Sequence, residues 1–562
     1  MPTIEFTKKD LEYLMGFEIE DSQLENYFVA AKGELESYEN GVLKVEIADT
    51  NRPDLWSVEG IARELKAHLG LEKGIKKYIF EKSEYVVEVS GKNTFNPKEA
   101  SAIVRNVNVT EDLLVSMINL QEKICNIAGR KRSEFALGIY SLNKINGKRL
   151  RYTVVDKKTK FVPLGFEEEM TLEEVLEKHP KGKEYGYLVK SMEKYPVWLD
   201  EAGKVMSFPP IINSNDSGKV ELGQQDLFIE VTGNSQEKVD LVLLIFAMAF
   251  ADRGAKVESI TIKYLEEKKS FVSLNTDPLE ISFEKQKIFD YLGEKISEEQ
   301  IIEFLERKHY SVRISGNKIK VQYPKYRQDI LHPVDVIEDL VIEFGYDILK
   351  PEIVPFYTSG GLLPSTSWNN LVREASIGLG LQEVMTFTLT SARKQYEYLR
   401  IKEQNCAEIA NPMSENISIF RERIFPEHLD LLAKNQHISY PQDIFEVGKT
   451  VHIASKTSKS PKEKREIAIE ENKLCITLCH NNVSYTEIKQ RLDAILKAIG
   501  ATEIRYEPKD FSFMIPKRSA LVTFKLGQKI LQGVIGEIHP DVLISFGLNM
   551  PVACCEIGID KY

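Results

Sequence analysis

Apolar residues spaced three and four positions apart indicate the clearest helix of this chain, which begins at Pro333. Proline suits the first helical turn, because its missing N–H would have no partner there. The apolar stripe of this helix consists of Val334, Ile337, Leu340, Val341 and Phe344. A second helix, over 235–251, is apolar on nearly every side and is expected to be buried. Its apolar run, Leu241–Ala251, is too short to cross a bilayer.

Polar residues at fixed offsets mark the starts of two further helices. Thr171 with Glu174, and Ser297 with Gln300, have the spacing of a capping box, in which each side chain binds the other residue's backbone N–H. A hairpin is predicted where two alternating segments flank Gly316-Asn317.

Strict alternation of apolar and polar residues predicts a strand over 42–48. The turn NRPD follows, and Asp54 is expected to cap a helix over 55–69. A Lys- and Ser-rich run over 455–465 predicts an exposed loop. The same alternation predicts later strands over 384–389, 442–453, 473–479, 531–537 and 553–559.

The order of these elements predicts a multidomain α+β protein, because 562 residues exceed the size of one core. Residues 1–90 form a small α/β unit, and 91–270 form a larger α/β region. Residues 271–350 form a compact module, 351–364 a linker, and 365–562 a mixed α/β domain.

Composition places the chain among ordinary globular proteins, with 43% hydrophobic and 28% charged residues. The net charge of −11 argues against a surface that coats nucleic acid broadly, although local basic patches are compatible with it. Six cysteines without a regular framework indicate reduced thiols, and with no apolar signal region at the start the chain is expected to be cytoplasmic. Cys475, Cys479 and His480 lack a second pair of ligands, so no metal is predicted there.

Four carboxylates cluster around the helix that begins at Pro333. They are Asp329, Asp335, Glu338 and Asp339. Like charges at this spacing repel one another, and a hard cation such as Mg²⁺ would neutralise them. A solvated acidic face near a helix N-terminus explains the same pattern without a metal.

Six stretches of this chain resemble the phenylalanine–tRNA ligase beta-subunit family, in its shorter archaeal and eukaryotic form. The resemblance runs nearly end to end and keeps the family's order. The stretches are ADTNRPDLWSVEGIARELKAHLG (48–70), FALGIYSLNKI (135–145), MSFPPIINS (206–214), YRQDILHPVDVIEDLVIEFGYD (326–347), IANPMSENISIFRERIFPEHLDLLAKN (409–435) and DIFEVGKTV (443–451).

The resemblance implies a role in attaching phenylalanine to tRNA(Phe) with ATP, in an α₂β₂ assembly whose alpha subunit holds the synthetic site. It implies that 365–562 is an antiparallel module like that of class II synthetases. Such a site needs an arginine near the chain end to hold the ATP γ-phosphate, yet the last arginine here is Arg518. The corresponding stretch offers Gly533, Gly536 and His539. Arg421 is a second candidate for phosphate, with an ion pair as the alternative interpretation.

Two further sites follow from the resemblance. It implies that Asp329, Asp335, Glu338 and Asp339 bind Mg²⁺ shared with the alpha subunit, in a module of the B5 type. It implies that 91–270 is an editing domain of the B3/B4 type, which hydrolyses tyrosine wrongly attached to tRNA(Phe). A pocket shaped for phenylalanine discriminates poorly against one added hydroxyl, so a second site is needed.

The editing residues are predicted from their polarity and strand positions, and no His, Cys or Ser triad is evident beside them. They are Glu230 as phenol acceptor, Thr232 two residues on, and Ser207, Asn213 and Ser214 in the loop around Pro209-Pro210. A salt-bridged carboxylate at a strand end is the alternative for Glu230. The segment 123–160, with 11 Lys and Arg against 2 Asp and Glu, is either a guide for the tRNA end or a solvated surface.

Three other functions compete with this interpretation: a free-standing deacylase of mischarged tRNA, a structural scaffold with an inactive editing site, and a metal-dependent nucleotide enzyme. The third is disfavoured because no phosphate-binding Gly-rich loop with a lysine is present in the sequence.

Overall fold

The computed structural model describes residues 2–457 and 464–561, with side chains left undescribed at 455–457 and 464–466. The chain forms two compact units, Met1–Ile353 and Val354–Tyr562. Among the described residues, no helix is both long enough and apolar enough to cross a membrane.

The first unit opens with a three-stranded antiparallel sheet in the order β1-β3-β2. Its elements are β1 (Thr3–Thr7), α1 (Lys8–Met15), α2 (Leu24–Ala30), β2 (Gly33–Glu39), β3 (Val42–Ile47) and α3 (Val58–His68). Strand β3 confirms the predicted strand. The cap prediction for α3 was wrong: the hydroxyl of Ser57, rather than Asp54, accepts from the N–H of Gly60 at 3.2 Å. The carboxylate of Asp54 is instead paired with Arg52 at 2.8 Å.

A ten-stranded sheet follows in the order β12-β11-β10-β7-β4-β14-β5-β13-β6, with β15 paired to β14. Strand β4 is parallel to β7 and β14, and the other neighbours are antiparallel. The strands are β4 (Glu81–Val89), β5 (Lys98–Arg105), β6 (Phe135–Ser141), β7 (Arg149–Val155), β10 (Tyr195–Leu199), β11 (Val205–Phe208), β12 (Ile212–Asn213), β13 (Leu227–Gly233), β14 (Lys256–Tyr264) and β15 (Lys269–Val272). The intervening elements are α4 (Glu111–Lys123), β8 (Lys160–Phe161), β9 (Met170–Thr171), α5 (Leu172–Lys178), α6 (Pro180–Tyr185) and α7 (Gln236–Asp252).

Helix α7 confirms the predicted apolar helix, and its side chains pack under this sheet in a hydrophobic cluster that continues into the first sheet. The capping box of Thr171 and Glu174 is present at the start of α5. Residues 1–90 and 91–270 therefore share one core, although the sequence pattern separates them into two units.

The first unit ends in a small sheet of order β16-β18-β17. Its elements are β16 (Leu279–Glu284), α8 (Gln286–Leu292), α9 (Glu298–Glu306), β17 (Ser311–Ser315), β18 (Lys318–Tyr323) and α10 (Pro333–Phe344). The capping box at Ser297, the turn at 316–317 and the helix start at Pro333 are confirmed. The predicted stripe was wrong at Val334, which is exposed, whereas Asp339 is fully buried on the apolar side.

The second unit is built on a seven-stranded sheet of order β19-β22-β23-β27-β26-β25-β24, in which only the β19–β22 pair is parallel. Its elements are α11 (Pro364–Ile377), β19 (Gln382–Glu383), β20 (Leu389–Thr390), β21 (Ile419–Phe420), α12 (Phe425–Lys434), β22 (Gln442–Thr457), β23 (Lys464–Cys479), α13 (Tyr485–Ala498), β24 (Thr502–Pro508), β25 (Met514–Leu526), β26 (Lys529–Ile538), α14 (Pro540–Phe546) and β27 (Val552–Gly558).

Two sequence predictions fail in this unit. Residues 384–388 form no strand, because the N–H of Thr386 donates to Glu446 and the side chains of Met385 and Phe387 face solvent. The predicted loop over 455–465 was too long, since β22 and β23 extend into it; its remaining residues, 458–463, lie outside the described part.

Candidate functional site

Strand β13 carries the two residues predicted to recognise a phenol. Every residue of this strand is buried, and Glu230 and Thr232, which are two positions apart, lie on the same face. The register places Ser101 of β5 and Gly138 of β6 on either side of Glu230. The prediction that Glu230 and Thr232 share one face of the strand is therefore confirmed. Glu230 lies in the middle of the strand, not at its end.

Glu230 is held by a hydroxyl that the sequence reasoning missed. Tyr140 donates to Glu230 Oε1 at 2.9 Å, and its oxygen lies 2.7 Å from Ser207 Oγ. A Cβ on Gly138 would lie 2.4 Å from the Tyr140 hydroxyl and 2.5 Å from the Glu230 carboxyl, so only glycine leaves room for this contact. The spacing of Gly138 and Tyr140, two apart on one strand, was the available signal.

Burial sets the protonation of Glu230. Desolvation raises the pKa of Glu230 to about 8, although the hydrogen bond from Tyr140 opposes the shift. The carboxyl is therefore mostly neutral near pH 7 and can donate one hydrogen bond as well as accept. Its second oxygen, Oε2, has no hydrogen-bond partner among the described residues.

A cavity of about 350 Å³ opens beside Glu230. Its walls include helix α4, edge strand β6 and the loop that contains Pro209 and Pro210, which are joined by a cis peptide bond. The side chain of Asn213 lines the cavity and donates to the carbonyl of Ile139 at 3.3 Å. This contact ties β12 to β6 across the gap in the sheet, so the predicted Asn213 bounds the pocket.

The loop that forms this wall is clamped by Arg132, which donates to the carbonyls of Pro210 at 2.9 Å and Ile211 at 3.1 Å. Arg132 belongs to the basic segment predicted to guide tRNA, and here its role is structural. Ser214 does not line the cavity: its hydroxyl contacts that of Ser217 at 2.9 Å.

The lining residues limit the chemistry of this pocket. No His, Cys or Ser side chain is among the described residues that line it. A cavity of this size accommodates one aromatic amino acid side chain, and a neutral carboxyl in its wall can bind a hydroxyl. The arrangement supports binding and the orientation of a water molecule more than attack by a protein nucleophile.

The carboxylates of the third sheet are neutralised by cations of the chain itself. Arg327 Nη2 lies 2.6 Å from an oxygen of Asp329 and 2.6 Å from an oxygen of Asp339. Tyr310 also donates to Asp339 at 2.6 Å. Although burial alone would raise it, the pKa of Asp339 is held well below its usual range by the charges of Arg327 and Lys32.

The four predicted metal ligands do not converge on one point. In the part of the chain that the structure describes, no three of them bring ligand atoms within 4.8 Å of one another. Asp335 accepts from the N–H groups of Leu331 at 2.8 Å and His332 at 2.6 Å, as a helix cap does. Glu338 remains half exposed, and Asp339 Oδ1 lacks a hydrogen-bond partner.

A different residue group meets this distance criterion. Asp443, His480 and Glu487 approach one another at the start of α13, where His480 and Glu487 lie 3.1 Å apart. The cysteines next to His480 in sequence, Cys475 and Cys479, are instead buried as free thiols.

In the second unit, Arg421 and Arg518 are both paired with carboxylates. Arg421 is buried and pairs with Glu446 at 2.6 Å, which is the ion-pair alternative for this residue. Arg518 pairs with Glu537 at 2.7 Å. Gly533 is required by packing, since a Cβ there would lie 2.4 Å from a carbonyl oxygen of the neighbouring strand.

A cavity of about 430 Å³ lies on this sheet and is lined by both signs of charge. Arg423 and Lys473 face it, together with the carboxylates of Glu471, Glu556 and Asp560. Carboxylates outnumber cations in its wall, so the cavity is poorly suited to the phosphates of a nucleotide.

Comparison with known proteins agrees with this geometry. Residues 281–346 match the tRNA synthetase B5 domain, and 351–559 match the phenylalanyl tRNA synthetase beta chain CLM domain. The phenylalanine–tRNA ligase beta subunit of Thermococcus kodakarensis is 39% identical over 99% of this chain and 98% of its own length. That of Pyrococcus horikoshii is 40% identical over 99% of both chains.

A solved structure covers the first unit. The crystal structure of an N-terminal fragment of the phenylalanyl-tRNA synthetase beta subunit from Pyrococcus horikoshii is 42% identical. It aligns over 61% of this chain and 100% of the fragment, with a TM-score of 0.59. The chain is 39% and 40% identical to these two relatives over nearly its whole length, and both domain models match it. It therefore belongs to the phenylalanine–tRNA ligase beta-subunit family.

Proposed function

We propose that this chain, with an alpha subunit in an α₂β₂ tetramer in the cytoplasm, attaches phenylalanine to tRNA(Phe) using ATP and hydrolyses mischarged Tyr-tRNA(Phe). The synthetic site lies in the alpha subunit, and the editing site lies in the first unit of this chain. The observation that carries the editing role is Glu230, a buried neutral carboxyl in the wall of a cavity of about 350 Å³.

Editing requires that tyrosine be preferred over phenylalanine. A tyrosyl group in the cavity can satisfy the free oxygen of Glu230 with its phenolic hydroxyl, whereas a phenylalanyl group leaves that oxygen buried without a partner. Tyr140 fixes the carboxyl from the other side. Water then attacks the ester carbonyl, and tyrosine and free tRNA leave.

Synthesis is assigned to the partner because the second unit has the wrong charges for ATP. Its buried Arg421 is engaged by Glu446, and the cavity on its sheet is lined by more carboxylates than cations. This unit acts as a scaffold with the fold of a synthetase module.

Exposed apolar side chains in the second unit support a partner. Met385 is 91% exposed, Phe387 84% and Met413 97%. Met385 and Phe387 are two residues apart, and a contiguous exposed apolar patch marks a surface that another protein covers. This observation disfavours the free-standing deacylase, which needs no partner.

Mg²⁺ binding at Asp329, Asp335, Glu338 and Asp339 remains a proposal. The half-exposed carboxylate of Glu338 and Oδ1 of Asp339, which has no hydrogen-bond partner among the described residues, are oxygen ligands of the kind that Mg²⁺ takes. Lys32 lies 3.5 Å from both carboxylates, so a bound cation would have to displace its ammonium group.

The test is co-expression with the alpha subunit, followed by assays of aminoacylation and of Tyr-tRNA(Phe) hydrolysis. We expect both activities in the complex. A complex that aminoacylates but leaves Tyr-tRNA(Phe) intact would reduce this chain to a structural subunit. Full deacylation by the single, monodisperse chain would favour the free-standing deacylase instead.

A further inference from the structure

A second group of polar side chains lies next to Glu230 on the same face of the sheet, and apart from Thr232 no predicted function uses its members. All of its members are fully buried. The atoms of this group that lack a hydrogen-bond partner among the described residues are both carboxyl oxygens of Glu99, Ser101 Oγ, Thr232 Oγ1, both side-chain amide atoms of Asn96, and Trp198 Nε1. Buried polar atoms are nearly always paired in native proteins, so this concentration calls for a ligand or ordered water.

Strand register places Glu99 within reach of Glu230. Glu99 pairs directly with Thr232, and Ser101 pairs directly with Glu230. Directly opposed side chains are about 5 Å apart and diagonal ones about 7 to 8 Å at their Cβ atoms. One small polar group between the strands can therefore contact both carboxyl groups.

The backbone of Glu99 is already satisfied, which leaves only its carboxyl free. The N–H of Glu99 donates to the hydroxyl of Tyr264 at 2.9 Å. The carbonyl of Glu99 accepts from the side chain of Gln236 at 2.9 Å. The strand is thus held firmly, while both carboxyl oxygens of Glu99 have no hydrogen-bond partner among the described residues.

We propose that Glu99 is a specificity-determining residue of the editing site, which together with Glu230 brackets the phenolic hydroxyl of a tyrosyl group. The inference rests on the proposed editing function and extends it by one residue. A phenol both donates and accepts, so it can donate to one carboxyl and accept from the other. A phenylalanyl group would leave both carboxyls without a partner, which strengthens its rejection.

Protonation of the two acids agrees with this role. Burial raises the pKa of Glu99 well above its ordinary value, with the neighbouring carboxyls of Glu230 and Asp240 adding to the effect and Ser101 opposing it. A carboxyl that keeps its proton offers a donor as well as an acceptor to a phenol.

The experiment uses the complete complex with the alpha subunit and compares Glu99→Met, Glu99→Gln and the matched surface change Glu237→Met. Rates of hydrolysis are measured for Tyr-tRNA(Phe) and Phe-tRNA(Phe). We expect Glu99→Met to lower the ratio of the two rates about tenfold or more, and Glu99→Gln, which keeps the shape and hydrogen bonding, to stay within about threefold. Glu237→Met is expected to leave the ratio unchanged.

Thermal unfolding of the same variants separates a binding residue from a structural one. If the carboxyl of Glu99 serves binding, its replacement by methionine removes an unsatisfied buried group and raises the melting temperature. A lower melting temperature or a failure to fold would overturn the proposal, and so would an unchanged rate ratio. A wild-type complex without Tyr-tRNA(Phe) hydrolysis would overturn the proposed editing function itself, whereas an active wild type with indifferent Glu99 variants would overturn only this inference.

Discussion

The ammonium group of Lys32 lies 3.5 Å from Oδ1 of the fully buried Asp339, and so a cation from the turn just before β2 partly neutralises a carboxylate of helix α10. Lys32 reaches this position from a left-handed backbone conformation, with φ of 57°. A residue other than glycine is held in this conformation only when its surroundings require it.

Removing that cation should destabilise the first unit. We expect Lys32→Met to lower the free energy of unfolding by about 2 kcal/mol, because Asp339 then loses part of the charge that offsets its burial. Calorimetry of the full chain measures the effect as a lower temperature for its first transition. The control is Lys44→Met, which breaks an exposed pair with Glu5. Equal effects from both variants would contradict the role of burial.

Magnesium binding is tested by replacing two of the four proposed ligands. We expect the double variant Asp335→Asn with Asp339→Asn to abolish Mg²⁺ binding by the assembled complex, because it removes two of the four proposed ligand charges. Titration calorimetry with MgCl₂ measures the binding, and Asp347→Asn, an exposed change nearby, is the control. Unchanged Mg²⁺ affinity in the double variant would sink the proposed site.

The buried carboxyl of Glu230 predicts a pH dependence of stability. The pKa of Glu230 is about 8 in the folded chain, against an ordinary value of 4.5. Between these pH values the folded chain keeps a proton that the unfolded chain releases. Its free energy of unfolding should therefore fall as pH rises, by at most about 1.4 kcal/mol per pH unit.

Glu230→Gln lacks this titration and is the comparison. Its melting temperature relative to wild type should rise steadily from pH 5 to pH 8 and then level off. Glu237→Gln, on the surface of α7, should show no such trend. A difference between Glu230→Gln and wild type that is the same at every pH would mean that Glu230 is ionised in the fold.

Catalysis of editing is tested at the same residue. We expect Glu230→Ala in the complex to slow hydrolysis of Tyr-tRNA(Phe) by about 100-fold while leaving aminoacylation intact, because the phenol loses its partner in the pocket. Tyr140→Phe should have a smaller effect, since it removes only the hydroxyl that fixes the carboxyl. Intact hydrolysis by Glu230→Ala would show that another group recognises the substrate.

The purified chain alone should form no phenylalanyl-adenylate. Arg421 is already bound to Glu446 at 2.6 Å, and in the cavity that Arg423 and Lys473 line, carboxylates outnumber cations. ATP–pyrophosphate exchange by the single chain, compared with the complex, measures this. Robust exchange without the alpha subunit would reverse the assignment of roles.

Local signals were sufficient for part of this structure. The capping box at Ser297, the start of α10 at Pro333 and the shared face of Glu230 and Thr232 follow from spacing over two to three residues, and all three are confirmed. These features depend on neighbouring residues in the chain, so tertiary contacts changed none of them.

Contacts between residues far apart in sequence determined the features that local spacing did not predict. The partners of Asp339 are Lys32, Tyr310 and Arg327, which no periodicity connects to it. Asp54 resembles a helix cap in sequence, but the buried guanidinium of Arg52 binds it more strongly.

The continuous core beneath the first two sheets has a consequence for how such a chain can be dissected or recombined. Arg253, just after α7, is paired with Asp10 and Glu59, both from the opening segment. A shortened chain that starts at residue 91 would leave this guanidinium without the counter-charges of Asp10 and Glu59 and would bare apolar side chains of α7. The cavity beside Glu230 can therefore be transplanted or inherited only together with the first ninety residues, as one indivisible piece.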